Sequence, residues 1–138
     1  MSGDSKITTQ SIAEDLLVAS RKGDCISLKT LLESIDVNKT NKYGDTALRF
    51  AVEAGQTEAV KLLLNANADP NIANMNGDTP LMDACFEGHI DLVKELLMAG
   101  AKYFGVQNSD TETAFSLAVR GGNQEIIELF KKKHKHIY

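Results

Sequence analysis

Gly44-Asp45-Thr46-Ala47-Leu48 returns as Gly77-Asp78-Thr79-Pro80-Leu81, and the interval is 33 residues. A fixed self-similarity of that length marks stacked copies of one supersecondary unit, and 33 residues suit a turn followed by two helices. The match extends along the chain. Ala51, Gly55, Val60, Leu63, Leu64 and Ala68 return as Ala84, Gly88, Val93, Leu96, Leu97 and Ala101. An earlier copy carries Ala19, Gly23, Leu28, Leu31, Leu32, Asp36 and Asn38. A later one, offset by 34, carries Thr113, Ala118, Gly122, Ile127 and Phe130. Such a chain builds a surface for binding rather than a pocket for chemistry.

Each copy has a physical reading. Thr46, Thr79 and Thr113 suit helix N-caps, and Pro80 suits the first helical position, where its missing N–H costs nothing. Leu48, Ala51 and Val52, then Leu81, Ala84 and Cys85, have the spacing of one buried helical face. Gly55, Gly88 and Gly122 are placed to end that helix with positive φ. The polar residues that follow Gly23 and these three glycines, Asp24, Gln56, His89 and Asn123, precede a leucine-rich second helix. They share hydrogen-bonding ability but no acid–base chemistry, so His89 reads as a local hydrogen-bonding or capping residue. The segment from Asp69 to Asp78, rich in Asn, Asp and Gly, predicts a tight turn projecting from the helices.

Length and composition agree with a single compact body. The chain has 138 residues, an apolar share of 43% and a net charge of −4. That charge argues against general attraction to nucleic acid or anionic membrane. No apolar run spans a bilayer, and residues 1–10 lack the apolar stretch of a secretory signal, which points to a cytoplasmic or nuclear protein. Cys25 and Cys85 lie about two copies apart and are expected as free thiols. The sequence contains no glycine-rich phosphate loop, no His-Glu-x-x-His, no paired-cysteine zinc pattern and no Gly-x-Ser-x-Gly. We therefore expect no enzyme activity, catalytic residue, metal site or cofactor.

The chain resembles the ankyrin-repeat family. Thr79, Pro80, Leu81, Ala84, Gly88, His89, Leu96, Leu97, Gly100 and Ala101 match its Thr-Pro-Leu-His-x-Ala, Gly-His and Gly-Ala motifs. Arg49 and Met82 stand where the family usually has His, and Lys102 to Gln107 replace the usual Asp-x-Asn with one residue added. The resemblance covers about Ile12 to Lys131. It implies an all-α ankyrin-repeat solenoid, helix-loop-helix units joined by projecting β-hairpin-like turns. Boundaries are expected at 11–40, 41–73, 74–107 and 108–131, forming one domain between a flexible N-terminus (1–10) and a basic tail (132–138). Terminal repeats of such stacks need a polar outer face. Lys131 stands where the central copies have Leu64 and Leu97, and Ser11 with Glu14 has the spacing of a capping box opening the first copy.

What the resemblance implies for function is recognition of another protein through a concave surface of turns and first helices, as an adaptor or as a regulator of one target. Carried onto this sequence, its variable positions include Lys42, Tyr43, Asp45 and Glu53, then Met75, Asn76, Asp78, Phe86 and Glu87, then Asp110, Glu112 and Arg120. Tyr43, Met75 and Phe86 suit an apolar centre ringed by acids, matching a partner with apolar anchors and basic flanks, and the chain is expected as a monomer. The same residues also suit turn cover and a solvated acidic face. Tyr103 and Phe104 read either as a specificity element or as a plug beneath the enlarged turn. The run Lys131-Lys132-Lys133-His134-Lys135-His136 complements a helix C-terminus. Nucleic-acid binding through it is the alternative, and His134 with His136 lacks further ligands for a metal.

Overall fold

The computed structural model describes residues 9–135. Among them are eight helices and no strand: α1 (Thr9–Lys22), α2 (Cys25–Leu31), α3 (Ala47–Glu53), α4 (Thr57–Asn65), α5 (Pro80–Glu87), α6 (Ile90–Met98), α7 (Ala114–Arg120) and α8 (Gln124–Lys135). Each repeat contributes one consecutive pair. The chain divides into two compact units, Met1–Asp69 and Pro70–Tyr138, each containing two repeats.

In the first unit α1 packs on α2 and α3, and α4 on α2 and α3. Its core comprises Leu16, Leu28, Leu48, Val52, Val60 and Leu63, all fully or almost fully buried. The second unit repeats the arrangement, with α5 on α6 and α7, and α8 on α6 and α7. Leu81, Leu92, Leu96, Ile126 and Phe130 form its interior. The small Ala51, Ala84 and Ala118 are fully buried, which allows close helix approach.

The local signals act as expected. Arg49 N–H donates to Thr46 Oγ1 (3.2 Å), Met82 N–H to Thr79 Oγ1 (3.3 Å) and Ser116 N–H to Thr113 Oγ1 (3.0 Å). Each bond satisfies a donor that the helix start leaves open. Ser116 completes a capping box by accepting from Thr113 N–H (2.8 Å). Gly55, Gly88 and Gly122 take φ of 72°, 81° and 69° where the first helices end. Asp24 caps α2 by accepting from the Ser27 hydroxyl (2.7 Å) and backbone N–H (3.1 Å), and the two bonds hold its carboxyl below the usual range.

Three expectations need correction. Ser11 lies inside α1, which already contains Thr9, so Ser11 and Glu14 do not open that helix. His89 makes no side-chain capping bond, and neither does Gln56, for which only hydrogen-bonding ability is expected. Gln56 instead reaches the preceding repeat, where its Nε2 donates to the Arg21 carbonyl (3.0 Å). Asn123 does the same in the second unit, donating to the Cys85 (2.6 Å) and Phe86 (3.2 Å) carbonyls. In these two repeats the position braces one repeat to another because an amide N–H can donate to carbonyls left open at the end of the earlier helix. Finally, Lys132 to Lys135 belong to α8, not to a tail outside the last helix. Residues 136–138, His136 among them, lie outside the described residues, as do residues 1–8 of the expected N-terminal segment.

Candidate functional site

The projecting turns are built by a residue that the motif comparison passes over. Asn41 Oδ1 accepts from Tyr43 N–H (2.9 Å) and Asp45 N–H (3.0 Å), while its backbone N–H donates to the Asp45 carbonyl (3.1 Å) and its own carbonyl accepts from Gly44 N–H (3.0 Å). Asn74 repeats this geometry with Asn76, Asp78 and Gly77, at 2.9–3.0 Å. Asn108 repeats it with Asp110, Glu112 and Thr111, at 2.9–3.0 Å. One short side chain therefore closes the loop from inside, as an Asx turn does. Spacings of 33 and 34 were the signal for it in the sequence. Two residues at each tip, Lys42-Tyr43, Met75-Asn76 and Ser109-Asp110, are left outward and exposed.

In the first unit the candidate residues have different environments. Tyr43 is exposed, with the Lys42 ammonium 5.2 Å from its ring centroid. Asp45 is buried, and its carboxylate accepts from Arg49 Nη1 (2.8 Å). It is thus a framework residue, held inside the turn and not presented to a partner. Arg49 also approaches Glu53 (3.9 Å), and Arg21 approaches the same carboxylate (4.0 Å) while its guanidinium lies 4.2 Å from the Phe50 ring centroid. Glu53 remains exposed between two cations.

In the second unit Met75 is 72% exposed and Phe86 is half open, with the Arg120 guanidinium 5.3 Å from the Phe86 ring centroid. The two neighbouring turns are fastened together. The Asn76 carbonyl accepts from Ser109 N–H (2.8 Å) and Ser109 Oγ (2.9 Å), and Asn108 Nδ2 donates to Asp78 (2.9 Å) and Glu112 (3.0 Å). Glu112 also pairs with Arg120. Asp78 and Glu112 are therefore largely committed within the protein, so the acidic ring is thinner than expected: Glu87 and Asp110 are its exposed members in this unit. The absence of free carboxylates at 45, 78 and 112 could not be read from residue type, because it depends on side chains reaching across a turn.

The Tyr103-Phe104 pair separates. Tyr103 is half-buried and meets Phe130 edge-on, with centroids 5.1 Å apart and planes at 62°, so it plugs the enlarged turn. Phe104, by contrast, keeps 68% of its surface in solvent. The unit's preceding loop shows what has been lost there: Asn71 Oδ1 accepts from Lys102 N–H (2.7 Å) and Asn71 Nδ2 donates to the Gly100 carbonyl (3.1 Å). Phe104 occupies the corresponding place one repeat later and has no amide for that brace.

Cys25 and Cys85 are free thiols. Cys85 is fully buried, and desolvation pushes its thiol up to about 12, far from the reactive range. Among the described residues no group of three or more His, Cys, Asp or Glu side chains is arranged to hold a metal ion, and no helix is long and apolar enough to cross a membrane.

Comparison with known proteins places these features in context. The family model for ankyrin repeats, in a three-copy form, matches residues 16–104, more than half of the chain. A protein of Rickettsia bellii (strain RML369-C) named for ankyrin repeats is 37% identical over 69 residues, covering 45% of this chain and 41% of that relative. Delta-latroinsectotoxin-Lt1a of Latrodectus tredecimguttatus is 48% identical over 54 residues, covering 38% of this chain and 4% of the toxin. The chain thus spans less than half the length of either relative.

Proposed function

Because the chain belongs to the ankyrin-repeat family, whose members are generally protein–protein interaction modules, we propose that it recognises a protein partner without catalysis, through its turn tips and the exposed sides of its first helices. The observation that carries this reading is the exposure of Tyr43, Met75 and Phe86 at positions that the repeat framework leaves open. Large apolar side chains of this kind supply most of the energy of an interface when a polar rim surrounds them. Glu53 in the first unit, and Asn76, Glu87 and Asp110 in the second, supply that rim, with Lys42 and Arg120 as its cationic members. Repeats from 11 to 131 would act as one recognition domain in the cytoplasm or nucleus. The partner's anchors are apolar, and its basic flanks meet Glu53, Glu87 and Asp110.

Affinity capture from native lysate with the wild-type chain, against a Tyr43→Ala/Met75→Ala/Phe86→Ala variant, tests the proposal. A protein retained by the wild type and released by the variant supports it. Equal retention by both refutes the assignment of the site. A captured pair that forms a ternary complex identifies an adaptor, whereas a single captured target whose activity changes on binding identifies a regulator.

A further inference from the structure

Asn76 is followed by Gly77, the one Asn-Gly pair in the chain. An asparagine side-chain amide is open to attack by the backbone nitrogen of the next residue, and a glycine there, having no Cβ, obstructs that attack least. Asn76 is exposed at the tip of its turn, so water reaches the amide.

The turn holds this pair in a setting that opposes the reaction. Neither Met75 nor Asn76 has positive φ, and the Asn74 carbonyl accepts from Gly77 N–H (2.9 Å), so the turn is of type I with ψ of Asn76 at about 0°. In that setting the Gly77 nitrogen eclipses the backbone nitrogen of Asn76. Ring closure requires it to eclipse Asn76 Cβ instead, so the peptide plane between the two residues must rotate. Rotation breaks the bond from Gly77 N–H and the two that the Asn76 carbonyl accepts from Ser109 N–H (2.8 Å) and Ser109 Oγ (2.9 Å). The first of these bonds also keeps the proton on the Gly77 nitrogen, because hydrogen bonding of a neutral form disfavours its ionisation.

We propose that Asn76 is a site of spontaneous deamidation gated by its turn: the closed turn protects the amide, and opening releases it. The deprotonated Gly77 nitrogen attacks Asn76 Cγ, forming a C–N bond while the bond to Nδ2 breaks. The proton given up by Gly77 returns through water to the departing nitrogen, which leaves as ammonia. One water then opens the five-membered imide, at Cγ to give aspartate or at the main-chain carbon to give isoaspartate.

The two products differ in consequence. Repeat four has Asp110 at the equivalent place, where its N–H donates to Asn108 Oδ1 (3.0 Å) as Asn76 N–H donates to Asn74 Oδ1 (3.0 Å), so aspartate fits the turn. Isoaspartate routes the main chain through Cβ and adds one atom to a loop that Asn74 closes from inside. There is no slack to absorb it: a Cβ on Gly77 would already stand 2.9 Å from Asn108 Cα. The isoaspartyl form therefore unfastens this turn from the next. Asn76 lies on the surface proposed above, but the chemistry is independent of any partner.

The test incubates the full chain in mildly alkaline buffer, folded and in urea, and follows each Asn-containing peptide by liquid chromatography and mass spectrometry. In urea Asn76 is expected to convert before every other asparagine, and in the folded chain at least about tenfold more slowly than in urea. Asn74→Ala, which removes the side-chain acceptor inside the turn, should speed conversion in the folded chain about fivefold and leave the rate in urea unchanged. Ser109→Ala, which removes one bond to the Asn76 carbonyl, should act in the same direction and carries the test if circular dichroism shows Asn74→Ala unfolded. The isoaspartyl fraction, separated from the aged protein, should unfold at lower urea than Asn76→Asp, whose midpoint should stay close to the wild type. Faster conversion of another asparagine in urea overturns the site. Equal rates in folded and unfolded chains, or folded variants no faster than wild type, overturn the gating, and equal midpoints of the two products overturn the assigned consequence.

Discussion

Thr111 stands where the other two turns have Gly44 and Gly77, and it adopts the same left-handed backbone, φ 62° against 80° for both glycines. A β-branched residue is disfavoured there because its Cβ crowds the following carbonyl, at about 1–2 kcal/mol. Replacing Thr111 by Gly removes that strain but frees the unfolded chain, which offsets about 0.5–1 kcal/mol. Thr111 is exposed, so no buried area is lost, and water replaces the bond from its hydroxyl to the Asp110 carbonyl. Thr111→Gly should therefore stabilise the protein by about 0.5–1 kcal/mol, raising Tm by about 1–4 °C. The reverse change in the neighbouring turn has the opposite sign. A Cβ on Gly77 would lie 2.9 Å from Asn108 Cα, a backbone atom, so Gly77→Ala combines left-handed strain with a steric clash. It should cost about 2 kcal/mol or more. Urea unfolding followed by circular dichroism at 222 nm measures both. A lower midpoint for Thr111→Gly, or an unchanged one for Gly77→Ala, would show that backbone geometry does not control these turns.

Asn123→Ala removes the donor to the Cys85 and Phe86 carbonyls and should destabilise by about 1–2 kcal/mol; Asn123→Asp should be no better, since a carboxylate cannot donate, and the same urea titration compares them. Asn74→Ala, which deletes an acceptor shared by two backbone N–H groups, should cost about 1 kcal/mol and speed amide exchange at Asn76 and Asp78. The Cys85 thiol, raised by burial from 9.0 to about 12, leaves stability unaffected below about pH 9. Above it the unfolded thiol ionises while the folded one does not, so the unfolded state binds fewer protons and stability falls as pH rises from 9 towards 12. Cys85→Ala should flatten that part of a stability-versus-pH curve, and a curve identical to wild type there would contradict the assignment.

The period revealed the framework because packing repeats itself in identity: Leu48 and Leu81, Ala51 and Ala84, and Thr46, Thr79 and Thr113 occupy equivalent surroundings. The turn asparagines 41, 74 and 108 were equally legible, but their role appears only when the side-chain oxygen is seen accepting two backbone donors. Residue type could not separate the acids. Asp45 and Glu53 look alike in a sequence, yet Arg49 holds the first inside its turn and leaves the second exposed. Position within the repeat does not by itself fix burial either: Phe115 stands where Leu48 and Leu81 are buried, yet 39% of its surface is exposed.

The turn asparagines bear on how such a chain can change over time. Since one amide oxygen fixes each loop from inside, Lys42-Tyr43, Met75-Asn76 and Ser109-Asp110 contribute little to holding it closed through their side chains, the Ser109 hydroxyl excepted. Substitutions there can accumulate, be exchanged between copies or be randomised in a library with small loss of fold. Under the proposed function, specificity and foldability are inherited through different residues, so a new target can be acquired without first solving the folding problem again.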